Sequence, residues 1–150
     1  EDAKNTLKEF EEEFNENLSK ELKENRTEEV LEFMGLSLYK NWLAWGLPYG
    51  VLKKIEIART LMNNPQLIIL DEPAAGLNDS ETAELTKLIR MIQEKYKCTI
   101  LLVEHDMGLV MDICDTVCAI SFGKMLAVGT TEEIQNNKDV QSAYLGTDEE

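Results

Sequence analysis

The stretch that decides the fold reads QLIILDEPAAGLN over residues 66–78. Its apolar letters predict a buried strand over Gln66–Leu70, and two carboxylates, Asp71 and Glu72, follow that strand directly. Because successive strand residues point to opposite faces of a sheet, the two carboxylates can serve different purposes. Ligands of open α/β folds bind at the carboxyl ends of the strands, so the stretch predicts a functional site at that edge.

Strand and helix patterns alternate downstream of Gly50. The predicted helices are Val51–Met62, Ser80–Tyr96, Met107–Asp112 and further helices after Thr130, up to Tyr144. The predicted strands are Gln66–Leu70, Thr99–Val103 and a hairpin of Val117–Phe122 with Met125–Val128. Capping boxes are predicted for Asn78 with Glu81 and for Thr130 with Glu133. Apolar strands that alternate with helices indicate a parallel sheet covered on both faces, so the fold class is α/β.

The first part of the chain has a different composition. Residues 1–32 carry twelve acidic and five basic side chains. Their net charge of −7 is half of the formal net charge of the chain, −14. Apolar residues at helical spacing form a stripe there: Ala3, Leu7, Phe10, Phe14, Leu18 and Leu22. A second short helix is predicted over Thr27–Met34, opened by Thr27 and closed by Gly35.

Composition excludes several classes of function. A net charge of −14 argues against nucleic acid and anionic lipid as direct partners, since both bind basic surfaces. No apolar run approaches the roughly 18–20 residues of a membrane span. The single histidine and the spacing of Cys98, Cys114 and Cys118 do not favour a zinc site, and the cysteines are interpreted as buried free thiols.

The sequence begins with Glu1 rather than Met, which indicates a piece of a longer protein or a processed chain.

Two further features accompany the carboxylates. His105, in ILLVEHD, also follows an apolar strand and should share the edge of the sheet with Asp71, where an imidazole can hydrogen-bond a phosphate oxygen. The loop of LPYGVLKKIEIARTL, residues 47–61, leads into a helix whose N-terminus can accept an anion. Taken singly, each has an ordinary structural explanation.

A phosphate-cradling G-x-x-x-x-G-K-[ST] loop is absent, because the one Gly-Lys pair, Gly123-Lys124, is followed by Met125 and has no glycine five residues before it.

In combination and in order, these features resemble the C-terminal half of an ABC-transporter ATP-binding subunit. LPYG at 47–50 takes the place of the signature loop, LIILDE at 67–72 resembles the Walker B strand, AGLN at 75–78 the D-loop, and His105 the switch histidine. The resemblance runs from about Arg26 to Gly146 and is strongest to the ATPases of branched-chain amino acid importers. It implies a partial P-loop NTPase (ABC ATPase) fold, mostly parallel sheet flanked by helices, with an N-terminal helical segment and without the Walker A half.

The resemblance also implies roles for individual residues. Asp71 would help to bind Mg²⁺, Glu72 would be the general base for water, and His105 would contact the γ-phosphate of ATP. Contacts to the nucleotide of the opposite subunit would come from Leu47, Pro48, Tyr49, Gly50 and, at the dimer interface, Asn78.

Domain organisation and partners follow from the same resemblance. Residues 1–46 would be the end of the helical subdomain that touches the membrane-spanning transporter subunits, and residues 47–150 the C-terminal part of the ATPase core. The second ATPase subunit would pack head to tail. Such a subunit binds ATP and Mg²⁺, is cytoplasmic and peripheral on the inner face of the cell membrane, and inserts into no bilayer. This chain alone is expected to be inactive, because the Walker A half is absent.

Several departures from the family pattern leave alternatives open. Pro48 and Tyr49 replace the Ser-Gly of the common signature loop, and Val51 replaces a glutamine. Contact with a nucleotide in trans would therefore rest on backbone N–H groups. One alternative is a non-catalytic interaction module derived from an ABC ATPase, and another is an ABC ATPase of the DNA-repair or chromosome type.

Overall fold

The computed structural model describes the backbone of residues 2–145 and the side chains of Glu16 and residues 19–144. In chain order the elements are α1 (Asp2–Phe33), a 3-10 turn (Ser37–Tyr39), α2 (Tyr49–Leu61), β1 (Leu67–Asp71), α3 (Asp79–Tyr96), β2 (Thr99–Val103), α4 (Met107–Ile113), β3 (Val117–Ser121), β4 (Lys124–Gly129), α5 (Thr131–Gln135) and α6 (Lys138–Leu145). No helix in this part of the chain is both long and apolar enough to cross a membrane.

The described residues form two compact units, and the boundary between them lies between Gln66 and Leu67. The first unit contains α1, the 3-10 turn and α2, and the second contains the strands and the remaining helices. This boundary differs from the division after residue 46, which concerns the subdomains of the family and stays a prediction.

Helix α1 runs without a break, so the prediction of a separate helix opened by Thr27 is wrong. The Thr27 hydroxyl donates to the carbonyl of Lys23 at 2.8 Å, which is the bond of a threonine inside a helix rather than of an N-cap. The predicted stop at Gly35 is confirmed by its φ of +67°. The N–H of Leu36 donates to the carbonyl of Leu31 at 2.7 Å, the bond that closes a Schellman motif.

The apolar stripe predicted on this helix is described at one position. Leu22 is 61% exposed, so the described part of the chain leaves most of its surface open to solvent. The side chains of Ala3, Leu7, Phe10, Phe14 and Leu18 lie outside the described residues.

Arg26 connects the two long helices of the first unit. Its guanidinium donates to the carbonyl of Leu61, at the end of α2, at 2.8 Å, and also to the side chain of Asn64. A cation at the C-terminus of a helix is favoured by the helix dipole and satisfies carbonyls that the helix cannot. A charged side chain of α1 is therefore hydrogen-bonded to the C-terminal end of α2.

The second unit begins with the predicted parallel pair. Strand β1 pairs with β2 from Leu67 opposite Thr99 to Asp71 opposite Val103, and α3 forms the crossover between them. Its predicted capping box is confirmed, with Asn78 and Glu81 exchanging two side-chain-to-backbone bonds of 3.0 Å. The buried face of α3 consists of Leu85, Thr86, Leu88, Ile89 and Ile92.

Only one face of this parallel pair is covered, so the expectation of a sheet covered on both faces is wrong for the described residues. Ile68 and Leu70 are buried, whereas Ile69 is 62% and Leu101 is 51% exposed. Alternate strand residues point to opposite faces, and the described helices bury one of them. The second face presents apolar side chains to solvent.

Strands β3 and β4 form the predicted hairpin as a separate antiparallel sheet. Phe122 and Gly123 make the two-residue turn with φ of +48° and +74°, which is the sign that a type I′ turn needs. Helices α5 and α6 close this sheet with a small core of Ala119, Ile134 and Val140. The second predicted capping box, Thr130 with Glu133, is also present.

The three cysteines differ in burial. Cys98 is buried, Cys114 is half-buried and Cys118 is exposed. The interpretation of all three as buried thiols is therefore wrong for Cys118.

Candidate functional site

The carboxyl ends of β1 and β2 bring the predicted catalytic residues together. Asp71 is the last residue of β1 and pairs with Val103, the last residue of β2. Glu72 and His105 follow at the same edge, and the distance from His105 Nδ1 to Glu72 Oε1 is 3.7 Å. Both side chains are exposed, at 73% for the imidazole and 57% for the carboxylate. The predicted shared edge is thus confirmed, and it forms an open polar corner.

The backbone of Glu72 adopts an unusual conformation. Its φ is +44°, and a residue with a Cβ pays about 1–2 kcal/mol for the left-handed region. The N–H of Glu72 donates to the carbonyl of Val103 at 2.9 Å, and its carbonyl accepts from the N–H of Ala75 at 3.1 Å. Strained residues that are held by such bonds cluster at functional sites. The left-handed backbone of Glu72 lies directly after β1, where the chain leaves the strand.

Glu104 joins the turn after β1 to the turn after β2, and the sequence reasoning missed it. Its side chain is only 1% exposed. One oxygen accepts from the N–H of Ala74 at 2.9 Å, and the other accepts from the N–H groups of His105 at 3.0 Å and Asp106 at 3.3 Å. A buried carboxylate must be hydrogen-bonded, and this one satisfies backbone donors of both turns. Its position directly after the predicted strand Thr99–Val103 and directly before His105 was a signal that could have identified Glu104.

Glu104→Gln is expected to lower the free energy of unfolding by about 1–3 kcal/mol, because an amide nitrogen cannot accept and leaves a buried N–H without a partner. The measurement is urea denaturation, accompanied by amide exchange at Ala74, which should become faster. Glu94→Gln is the matched control, since Glu94 lies exposed on α3. Equal stability of the two variants would contradict the positioning role of Glu104.

The corner is acidic, and in the described part of the chain no three His, Cys, Asp or Glu side chains are arranged to hold a metal ion. Asp71 is exposed and offers one carboxylate at the strand end. Mg²⁺ binds through one or two carboxylates together with waters and substrate phosphates. Asp71 is therefore suited to a magnesium site that also includes waters and substrate phosphates, and not to a site made by protein ligands alone.

The signature segment lies in the first unit. Pro48 is the N-cap of α2 and makes no side-chain capping bond, and its carbonyl accepts from the N–H groups of Val51 and Leu52. The first N–H groups of a helix have no intrahelical partner, so those of Tyr49 and Gly50 point out of the helix start. Together with the helix dipole they offer donors to an anion.

Lys53 lies near this helix start, and its ammonium is paired with the Glu56 carboxylate at 3.6 Å. Lys53 Nζ lies 5.5 Å from the centre of the Tyr49 ring, which is itself half exposed. Leu47, by contrast, is buried and anchors the segment rather than facing a ligand. Of the four predicted signature residues, Pro48, Tyr49 and Gly50 are placed at the surface, and Leu47 is not.

Asn78 is placed as the N-cap of α3. Its side-chain oxygen is engaged by the N–H of Glu81, which leaves its amide nitrogen as the group that can face a partner. The D-loop turn before it includes Gly76 with φ of +80°, a conformation that favours glycine.

Comparisons with known proteins identify the family of the chain. A family profile described as "ABC transporter" matches residues 2–75, and one described as "Branched-chain amino acid ATP-binding cassette transporter" matches residues 124–150. The high-affinity branched-chain amino acid transport ATP-binding protein LivG of Salmonella typhimurium is 50% identical over 116 residues, which is 77% of this chain and 46% of LivG. BraF of Pseudomonas aeruginosa, which carries the same description, is 47% identical over the same shares.

Solved structures agree on the fold. The ADP conformation of an ATP-binding cassette of an ABC transporter superposes with a TM-score of 0.74 at 28% identity, covering 82% of this chain and 50% of that one. The chain therefore spans about half the length of the relatives that it matches. It belongs to the family of ABC-transporter ATP-binding proteins, and it resembles members of the branched-chain amino acid group.

Proposed function

We propose that this chain supplies the hydrolytic carboxylates, the switch histidine and the signature loop of an ATP-hydrolysing importer subunit. The hydrolysis of ATP drives transport, and the transported solutes are branched-chain amino acids. The observation that carries the proposal is the polar corner at which Glu72 and His105 approach to 3.7 Å. The descriptions of LivG and BraF support the choice of solute.

Each residue of the corner has its own part in the proposed reaction. Glu72 accepts a proton from a water whose oxygen attacks the γ-phosphorus, and ADP leaves with the electrons of the broken P–O bond. His105 donates a hydrogen bond to a γ-phosphate oxygen, which places the phosphate in line with that water. Asp71 holds Mg²⁺, which supplies neutralisation of the phosphate charge when bound.

The signature segment acts on the nucleotide of a second subunit. In the proposed head-to-tail dimer, the N-terminus of α2 points its backbone donors at the phosphates held by the partner. Pro48 and Val51 have no side-chain hydrogen-bond donor, and Tyr49 offers a phenolic hydroxyl in place of a serine or glutamine side chain. Backbone N–H groups are therefore the main support for recognition of the phosphates, because the nearby Lys53 ammonium is paired with Glu56. Asn78 contributes its free amide to the same dimer interface.

The membrane-spanning subunits are the proposed partner of residues 1–46. Large apolar side chains stand exposed just before the signature segment: Leu38, Trp42, Leu43 and Trp45. A group of exposed apolar residues marks an interaction surface. The proposed location is cytoplasmic and peripheral on the inner face of the cell membrane, and a net charge of −14 opposes nucleic acid as a partner.

A chimera tests the proposal, because it supplies the rest of the domain. In it, the matched segment of this chain replaces the matched 116 residues of S. typhimurium LivG. The chimera is expected to hydrolyse ATP with Mg²⁺. A folded chimera that binds MgATP but turns over no ATP would favour the non-catalytic interaction module over the proposed enzyme.

Asp71→Asn in this chimera is expected to raise the Mg²⁺ concentration required for half-maximal hydrolysis by about tenfold or more, since a neutral amide is a weaker ligand for a hard cation. A magnesium titration of the ATPase rate measures the shift. Asp79→Asn, at the exposed first turn of α3, is the control. An unchanged magnesium requirement would remove Asp71 from the metal site.

His105→Ala in the chimera is expected to slow hydrolysis by about 10–100-fold with little change in nucleotide affinity, because the lost bond to the γ-phosphate matters most in the transition state. Steady-state rates and equilibrium binding, measured on the same preparation, separate the two effects. A matched loss of affinity and rate would assign His105 to binding instead.

A further inference from the structure

Helix α2 carries the signature segment at its start, but its buried side chains lie in its second half. These are Ile57, Ala58 and Leu61, whereas residues 51–55 are only half-buried. Leu47 is buried just ahead of the helix, where it fixes the position of the loop rather than the direction of the helix axis. Burial of apolar surface is not directional. The direction of α2 therefore depends on polar contacts that specify an orientation.

Arg26 of α1 makes such contacts at the C-terminal end of α2. One terminal nitrogen of its guanidinium donates to the carbonyl of Leu61 at 2.8 Å and to the side-chain oxygen of Asn64. The other donates at 2.8 Å to Glu29, which lies one turn further along α1. The Arg26 side chain is only 19% exposed, so these bonds are largely shielded from water. Because a guanidinium is a planar and rigid fork, bonds to both helices fix the orientation of one relative to the other.

The turn that follows α2 is shaped to receive this guanidinium. Asn64 has a φ of +46°, a left-handed conformation that asparagine adopts more readily than most residues. Its N–H donates to the carbonyl of Leu61 at 3.2 Å, so its side chain is held beside that carbonyl. The two acceptors of Arg26 on this side thus belong to one ordered turn.

The length of α2 makes a small change at this end large at the signature segment. Its 13 residues span about 20 Å at roughly 1.5 Å per residue. A tilt of about 5° at the C-terminal end therefore moves the start of the helix by roughly 1.7 Å. A misplacement of about 1 Å can cost on the order of 10²-fold in rate. The bonds of Arg26 thus bear on where the N–H groups of Tyr49 and Gly50 point.

We infer that Arg26 is a positioning residue for the signature segment, and that it acts through α2 on the ATP site of the partner subunit. The inference rests on the proposed function, in which the start of α2 faces the nucleotide that a second subunit holds. Arg26 itself touches neither the nucleotide nor the reacting atoms. Its effect must therefore appear in trans, at the ATP site whose carboxylates belong to the other subunit.

Three substitutions separate the orienting bonds from the charge. Arg26→Met keeps an apolar stem and removes every donor. Arg59→Met is the matched control, because it removes the same charge from the last turn of α2, where Arg59 is exposed. If the helix dipole alone were responsible, both variants would act alike. Asn64→Gly removes one acceptor at a position that favours glycine, and it takes the place of Arg26→Met if circular dichroism shows that the latter does not fold.

The experiment uses pairs of differently tagged LivG chimeras, purified through both tags. The segment taken from this chain begins at Glu16, so that Arg26 is included. In the first pair, one subunit carries both Arg26→Met and Glu72→Gln, so the retained ATP site receives the altered signature segment. In the second pair, the two substitutions lie on different subunits, and the retained site receives an unaltered one. The first pair is expected to hydrolyse ATP about 10–100-fold more slowly than the second.

Amide exchange provides a readout that does not depend on turnover. Without the bonds of Arg26, α2 can move away from α1 as a whole. Exchange at Ile55, in the first half of α2, is therefore expected to become about tenfold faster in Arg26→Met. Ile89 of α3, in the second unit, is the control and should exchange as in the parent. Faster exchange at Asn64 without a change at Ile55 would mean that only the end of α2 frays, and it would overturn the inference.

Two results of the paired chimeras would also overturn it. Equal rates in the two pairs, or a slower second pair, would place the effect of Arg26 in its own subunit. An equal loss in pairs built with Arg59→Met would assign the effect to charge. A parent chimera without ATPase activity, or a Glu72→Gln chimera with parental activity, would reject the proposed function or its base instead. The exchange rate of Ile55 then decides whether Arg26 positions α2.

Discussion

Glu72→Gln in the LivG chimera is expected to lose ATP turnover by about 10²–10⁴-fold and to keep its affinity for MgATP. The amide is nearly the same size as the carboxylate, but it cannot accept the proton of the attacking water. The carboxylate of Glu72 stands at the open corner, with Oε1 3.7 Å from His105 Nδ1. Because the side chain of Glu72 is 57% exposed, water has access to this carboxylate.

The backbone strain at this position makes the substitution a clean test. Glu72 has a φ of +44°, and glutamine bears the same strain because it also has a Cβ. The variant should therefore unfold at the same urea concentration as the parent. Single-turnover hydrolysis and equilibrium binding of MgATP are the measurements, and Glu94→Gln on the exposed side of α3 is the control. Parental turnover in Glu72→Gln would show that another group is the base.

Local patterns predicted most of the second unit from sequence. The strand at LIIL, the helix after Asn78 and the hairpin around Gly123 each depend on residues within a few positions of one another. A capping box is fixed by two residues three apart, and a type I′ turn by two adjacent ones. These signals do not require the rest of the fold, so the structure confirms them.

Contacts between distant residues were not predictable in the same way. Glu104 accepts from Ala74, thirty positions earlier in the chain, and nothing in LLVEHD indicates that partner. The left-handed backbone of Glu72 is held by the carbonyl of Val103, which again belongs to the neighbouring strand. The shared edge could be predicted from strand ends, whereas the bonds that stiffen it required the register of β1 against β2.

Helix α1 illustrates the limit of capping signals. Thr27 is a favourable N-cap by type, but its hydroxyl can equally bond a carbonyl four residues back, and it bonds that of Lys23. The prediction of a sheet covered on both faces failed for a different reason. Apolar strand residues such as Ile69 and Leu101 show that a face is suited to burial, but they do not show which chain segment buries it.

The chain by itself is expected to show no binding of MgATP in the micromolar range. A dissociation constant of 1 μM corresponds to about −8.2 kcal/mol, and in P-loop proteins a large part of this comes from backbone N–H groups that cradle the phosphates. The one Gly-Lys pair of this chain, Gly123-Lys124, lies in a hairpin turn and not before a helix. It therefore offers no such cradle.

The negative charge of the isolated chain also opposes the binding of MgATP. Asp71 and Glu72 stand exposed at the edge where the phosphates would lie, and the whole chain carries a formal charge of −14. A polyphosphate is repelled by this field until cations and backbone donors offset it. The N-terminus of α2 provides a few donors, but one helix start contributes only about 0.3–1 kcal/mol at an exposed position.

Isothermal titration of the chain with MgATP, beside the LivG chimera as the positive control, measures this difference directly. The chimera should release heat with a defined midpoint, and the chain alone should give only the heat of dilution. Adding the remaining part of LivG as a separate polypeptide should restore binding if that part completes the site. A micromolar affinity in the chain alone would mean that its own residues hold the phosphates. The acidic corner at Asp71 and Glu72 would then have to lie away from the bound nucleotide, because its charge would otherwise oppose that affinity.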